Sequence, residues 1–342
     1  MDGLLVVDKP AGPTSHDVVA RMRRVLREKS IGHTGTLDPM ATGVLLLVLG
    51  KATRLAKFLT ASDKSYDAVV RFGFATDTAD ALGQPIGPVS DGLMPSRDAI
   101  DAALDAFRGT YMQQPPAFSA KKIDGQRSYK LARAARLKPS RSVSDPRDLL
   151  DPPDQRDPTA LPALPALASV TAHAIRIVSL DGDHVTLGID CSAGFYVRSL
   201  AHDLGERLGV GGHLAALRRT RTGGFGLEQA ITLDDAERDP PRAAAAVVPL
   251  AGMLLDVAAV VLTADGVTRV SHGRDVGPGD TVQQFSTLNV QLSGPSVQPS
   301  ALSPQPFLSP EPFVRLLDPA GELIAIARRT GSGALHPSVV LV

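Results

Sequence analysis

The chain has 342 residues, 43% of them hydrophobic and 4% aromatic, with no Trp and a formal net charge of zero. That is apolar material enough for one large domain and a small one, since domains commonly run to about 100–200 residues. A single cysteine, Cys191, excludes an intramolecular disulfide, no Cys/His cluster has zinc spacing, and the longest aliphatic run, Val44–Leu49, falls far short of the roughly 18 residues of a membrane span.

In chain order, Leu4–Val7 reads as a short buried strand, too short an apolar run for a signal peptide, so the cytoplasm is the expected location. Lys9-Pro10-Ala11-Gly12-Pro13 stops it. Thr14 or Ser15 then caps a helix with Val18, Val19, Met22, Val25 and Leu26 on one face and Arg21, Arg23, Arg24, Arg27 and Lys29 on the other. A Gly- and Thr-rich loop, Gly32 to Gly43, leads into the strand Val44–Leu49. Tyr66–Phe74 alternates as a strand does, residues 97–107 suit an amphipathic helix, and 170–178 and 184–191 suit strands paired around Asp181-Gly182-Asp183. Residues 197–208 suit a helix. The apolar stretch 247–262 carries Pro249, Gly252 and Asp256 and reads as core. Val257–Val276 and Phe313–Val342 read as strand-rich pieces of a small β domain.

Two segments hold too few bulky apolar residues to offset the entropy of ordering them. These are 139–166, rich in Pro, Asp, Ser and Arg, and 283–312, rich in Ser, Pro and Gln. Both are expected to be disordered or loosely attached insertions. Charge is uneven as well. Residues 121–147 hold nine Lys/Arg against two Asp, which a neutral total conceals. Such a field acts within a Debye length of about 8 Å at physiological salt.

Asp38 stands out on physical grounds. It lies in the Gly/Thr-rich loop, and Pro39 after it restricts its backbone to extended conformations. Gly35 and Gly43 permit tight turns and close approach of a ligand. Taken alone, Asp38 reads first as an Asx-type turn before a proline. Its surroundings add more. Gly32-His33-Thr34-Gly35-Thr36-Leu37-Asp38-Pro39-Met40-Ala41-Thr42-Gly43 resembles the GHTGxLDPxATG signature of the TruB family of pseudouridine synthases, matching every one of its ten fixed positions. Gly3–Pro10, Ser62–Tyr66, Thr76–Gly83, Pro116–Lys122 and Cys191–Leu200 resemble further motifs of that family. The resemblance covers about 1–138 and 169–250 closely and the last ninety residues loosely.

The resemblance implies a mixed α/β (α+β) catalytic domain with the pseudouridine synthase fold over about 1–247, its central sheet largely antiparallel. It implies an RNA-gripping insertion at about 118–142 and a small β-rich, PUA-like domain over 248–342. The reaction implied is isomerisation of uridine 55 in the T-loop of tRNA to pseudouridine, with no metal or cofactor. The implied partner is the T-arm of tRNA, with no membrane and no obligatory protein partner, and the chain is expected to be a monomer.

Residue by residue, the resemblance makes Asp38 the nucleophile. Attack on the ribose C1′, addition to the uracil ring and a glycal route stay open. Arg198 is implied as its partner, since a nearby guanidinium favours an ionised carboxylate; alone, Arg198 would read as a surface arginine at a helix start. Tyr66 would pack on the flipped base and assist removal of the C5 proton, though strand-core packing is equally ordinary for a Tyr. Tyr196 and Leu217 would wall the base pocket. His33 would fill the space left by the flipped base, recovering part of a stacking cost of a few kcal/mol. Lys9 and Asp80 would support the site. Lys121, Lys122, Lys130, Arg133 and Arg136, with Tyr129 and a helix expected over 127–136, would grip RNA, largely through phosphates. Arg218, Arg219 and Arg221 form a second basic group. Two rival readings keep the fold: a tRNA-binding folding chaperone with dispensable catalysis, and a guide-dependent synthase working within an RNP.

Overall fold

The computed structural model describes residues 1–87, 89, 94–119, 121–123, 126–128, 164–284 and 313–342. The chain forms two compact units, Met1–Ser62 with Arg221–Val342, and Asp63–Thr220.

The first unit begins with β1 (Gly3–Lys9), β2 (Ile31–His33) and β3 (Thr42–Leu49). β1 and β3 are antiparallel from Gly3 opposite Leu49 to Lys9 opposite Gly43, and β2 is antiparallel to β3. Both long strands are buried almost throughout, which is why they read as unbroken aliphatic runs. Between β1 and β2 lies the helix Ser15–Val25. Thr14 caps it: its side chain accepts from the Asp17 N–H, and the Asp17 carboxylate accepts from the Thr14 N–H at 2.8 Å. Val18, Val19 and Met22 face inward as the 3.6-residue period requires.

The second unit holds β4 (Lys64–Phe72), the short pair β5 (Ala75–Thr76) and β6 (Pro85–Ile86), β7 (Gly109–Gln113), the short pair β8 (Lys122–Ile123) and β9 (Gln126–Arg127), β10 (Ala168–Asp181), β11 (His184–Cys191) and β12 (Gly212–Thr222) up to Thr220. Five of these stand in the order β12-β4-β11-β10-β7, and the pairs β4–β11, β11–β10 and β10–β7 are antiparallel. β4 buries Lys64, Tyr66, Ala68, Val70 and Phe72 on one face. The turn expected around Gly182 is there, with φ 55°. The helix capped by Ser96 covers Arg97–Leu104, and one 3-10 turn carries it to Phe107. A second helix spans Val197–Arg207.

The chain then returns to the first unit through β13 (Phe225–Gly226) and β14 (Ile231–Thr232), the latter parallel to β1. A separate sheet follows: β15 (Ala259–Leu262), β16 (Thr281–Gln284), β17 (Phe313–Leu317), β18 (Leu323–Arg329) and β19 (Leu335–Val340), in the order β16-β15-β17-β18-β19. Two sequence expectations change here. The piece Val257–Val276 holds one strand and then a helix, Ala264–Ser271, because the Thr263 side chain accepts from the Gly266 N–H and starts a helical turn. Gln283 and Gln284, assigned to the second insertion, are strand residues paired with Val261 and Val260. This C-terminal sheet shares a core with the start of the chain: Leu323, Ile326, Val339 and Leu341 pack in one cluster with Leu4, Val6, Val44 and Leu46. Among the described residues, no helix is long and apolar enough to cross a membrane.

Candidate active site

In the first unit the loop between β2 and β3 carries Asp38, and both of its sequence neighbours are pinned. Ser15, the first residue of its helix and 1% exposed, accepts from the Leu37 N–H at 2.9 Å and donates to the Leu37 carbonyl at 3.0 Å. On the other side, the Pro39 carbonyl accepts from the Gly12 N–H at 2.8 Å and from Lys9 Nζ at 3.2 Å. The Asp38 carbonyl accepts from the Ala41 N–H at 3.1 Å. Lys9 is fully buried, and its ammonium also donates to the Pro10 and Ala41 carbonyls at 2.9 and 2.7 Å. Three donors on one nitrogen thus hold together the end of β1 and the loop around Asp38. Gly35 and Gly43 take φ of 140° and 98°, outside what a side chain readily accepts, so the loop turns where its glycines stand. Asp38 itself is half-buried. His33, at the end of β2, meets the His16 ring edge-on with centroids 5.2 Å apart.

In the second unit Arg198 is only 6% exposed, which removes the surface-arginine alternative. It lies in the first turn of the helix Val197–Arg207. Its Nη2 donates to the Phe118 carbonyl at 2.8 Å and its Nη1 to the Thr78 carbonyl at 3.1 Å, with the Asp80 carboxylate 3.8 Å away. Asp80 is buried too, and accepts from Thr78 Oγ1 at 2.6 Å and from the Leu82 N–H at 3.0 Å. The Thr76–Gly83 stretch is therefore a built loop that presents a carbonyl and a carboxylate to one guanidinium. Tyr66 is buried on the inward face of β4. Leu217 is half-buried on β12, the strand beside β4. Tyr196 is the residue just before the Arg198 helix.

Of the residues expected to grip RNA, Lys121 is exposed, and Lys122 belongs to β8. Lys130, Arg133 and Arg136, with most of the helix expected over 127–136, lie outside the described residues, as do most of 139–166 and 283–312. The second basic group falls on β12, a strand that the sequence pattern did not announce. Arg219 is 2% exposed, whereas Arg221 is exposed and donates to the Gly223 carbonyl.

Lys64, Ser15 and Gln113 had no site role in the reading of the sequence, though Ser15 stood as a candidate helix cap and Lys64 within the Ser62–Tyr66 motif. Lys64 lies two residues before Tyr66, on the same buried face of β4. Burial, aided by the Arg219 charge, pulls its ammonium down to about 8. A polar residue at an inward position of an alternating strand was the available signal for Lys64. Ser15 and Gln113 carried none, because their partners are remote in sequence.

Residues 23–143 match the TruB family pseudouridylate synthase (N terminal domain), and residues 198–258 match the tRNA pseudouridylate synthase B C-terminal domain. A tRNA pseudouridine synthase B of Solibacter usitatus (strain Ellin6076) is 36% identical over 346 residues, covering 100% of both chains. The chain belongs to the TruB family of pseudouridylate synthases. It is thus an isomerase of the pseudouridine synthase class. A tRNA pseudouridine synthase B of Mycobacterium avium (strain 104) is 46% identical over 240 residues, 70% of each chain. Among solved structures, an H/ACA RNP bound to a substrate RNA containing 2'-deoxyuridine has a chain of the same fold, with a TM-score of 0.65 at 23% identity over 99% of this chain and 85% of that one.

Proposed function

We propose that the protein converts uridine 55 in the T-loop of tRNA to pseudouridine, with Asp38 as the nucleophile. The observation that carries this reading is the loop around Asp38, where Ser15 holds the residue before it and Lys9 and Gly12 hold the residue after it. A nucleophile fixed in advance avoids the entropic cost of being oriented during the reaction. The tRNA substrate is supported by the relatives, which are named tRNA pseudouridine synthase B.

In this reading the glycosidic N1–C1′ bond breaks, a C5–C1′ bond forms to the same ribose, and the C5 proton leaves while N1 gains one. Atoms and electrons balance without an oxidant or a cofactor. Arg198 is the charged partner of Asp38. Tyr66 packs on the flipped base and assists at C5, Tyr196 and Leu217 wall the pocket, and His33 fills the gap in the T-loop stack. Lys9 and Asp80 hold loops. Lys121, Lys122, Lys130, Arg133 and Arg136 grip the RNA backbone.

The deciding assay uses the purified protein alone on unmodified tRNA transcript, with pseudouridine mapped chemically. Product at position 55 is expected without any added partner, and its absence would favour a guide-dependent enzyme. Asp38→Asn is expected to abolish product while tRNA still binds. A variant that modifies at the wild-type rate would remove Asp38 from the chemistry.

A further inference from the structure

Gln113 ends β7 and is 1% exposed, yet the reaction as described makes no use of it. Its carboxamide makes a two-point clasp on one backbone residue. Oε1 accepts from the Tyr196 N–H at 2.8 Å, and Nε2 donates to the Tyr196 carbonyl at 3.0 Å. Nε2 also donates to the Tyr111 hydroxyl at 3.0 Å. Tyr196 supplies no side-chain cap to the helix Val197–Arg207, so Gln113 caps that helix from another strand. The next residue continues the stitching. Ser199 Oγ donates to the Gln114 carbonyl at 2.6 Å, and Gln114 Nε2 donates to the Pro165 carbonyl at 2.7 Å.

Arg198 lies between the two anchored residues, Tyr196 and Ser199. Its own guanidinium donates to Phe118, five residues beyond Gln113 on the same run of chain. The first helical turn, the end of β7 and the base of the insertion thus form one hydrogen-bonded unit within Asp63–Thr220. A neutral planar amide offers a donor and an acceptor side by side, which an apolar residue of the same volume cannot. Where a guanidinium acts on a reacting group, a displacement of about 1 Å can cost on the order of a hundredfold in rate.

We propose that Gln113 is a positioning residue for the isomerisation: it fixes the helical turn that carries Tyr196 and Arg198 and holds that turn in register with the base of the RNA-gripping insertion. This rests on the reading of Tyr196 and Arg198 as site residues.

The test compares wild type with Gln113→Leu and Gln113→Glu in the full chain. It measures single-turnover pseudouridine formation at saturating enzyme, tRNA affinity and folded fraction. Gln113→Leu is expected to slow the chemical step about tenfold while Kd stays within about threefold, because the Tyr196 N–H and carbonyl both lose the amide that fixes their position. A rate within about threefold of wild type, or an equal loss of rate and affinity, overturns the proposal. Where the leucine variant does not fold, Gln113→Glu decides. Ionised, its carboxylate only accepts, whereas the protonated acid regains a donor and copies the amide. With the carboxylate ionised at about pH 8, its rate is therefore expected to fall about tenfold below wild type at a Kd within about threefold, and a rate within about threefold of wild type overturns the proposal. Asp38→Asn is run in parallel. If it keeps its rate, the reading of the site fails; if it is inactive while Gln113→Leu is normal, this inference alone fails.

Discussion

The Arg198 guanidinium sends Nη1 and Nη2 to different carbonyls, those of Thr78 and Phe118, with the Asp80 carboxylate beside it. A planar fork can serve diverging acceptors at once, and a primary ammonium on a longer free stem cannot hold the same positions. Arg198→Lys keeps the charge and should still lower single-turnover rates by roughly ten- to a hundredfold, as expected for the loss of a buried charged hydrogen bond. Lys64 gives a prediction in stability. Its folded pKa of about 8 lies below the ordinary lysine value of 10.5, so the unfolded chain binds its proton more tightly. The cost of burying that charge is fully present below about pH 8 and is relieved as pH rises toward the unfolded value. Wild type should therefore gain stability relative to Lys64→Met between those pH values, by up to about 1.4 kcal/mol per pH unit. Urea unfolding of both proteins at about pH 7.5 and about pH 9.5 checks this, and a constant difference would contradict it.

Thr14 and Ser15 are adjacent residues at one helix end, but they serve different elements. Thr14 closes the capping box with Asp17, a pattern visible in the sequence as Thr-x-x-Asp before an apolar face. Ser15 reaches across 22 residues to hold Leu37 beside Asp38. Ser15→Ala should cost about 1–3 kcal/mol, since it leaves two buried backbone groups unpaired. It should also lower the catalytic rate of the folded enzyme. Thr14→Ala should weaken the helix and leave the rate per folded molecule unchanged. Denaturant curves and single-turnover rates on the two variants separate these effects; equal rate losses would mean that Ser15 acts through helix stability alone. The same split runs through other elements. β1, β3 and β4 were legible because a strand buried on one or both faces writes its period into the sequence. β12 was not, because Leu217, Arg218, Arg219 and Arg221 break its alternation, and a buried arginine looks like a solvated one until its neighbours are known.

At the scale of the molecule, charge distribution bears on tRNA binding more than net charge does. Replacing Lys130, Arg133 and Arg136 with Ala should weaken tRNA binding and flatten its dependence on salt, by up to about 0.7–0.9 in logarithmic slope for each phosphate that is no longer neutralised. Affinity unchanged across salt concentrations would place these side chains away from RNA. The C-terminal sheet read as a small β domain, and it does form a sheet of its own; but Leu323, Ile326, Val339 and Leu341 share a core with Leu4, Val6, Val44 and Leu46, more than 270 residues earlier in the chain. No local pattern records such a partner, since burial on a face says nothing of what covers it. The sequence by itself determined what local chemistry can encode: the Asp38-Pro39 loop with its turning glycines, the capped helix before it, the periodic strands, and the family to which these motifs belong. Only the tertiary structure decided which distant groups hold the proposed site residues, namely Ser15 and Lys9 around Asp38, Phe118 and Thr78 on Arg198, and Gln113 on Tyr196. Each of those contacts uses a backbone carbonyl, which every residue has, or an N–H, which every residue but proline has, so no sequence pattern could mark them.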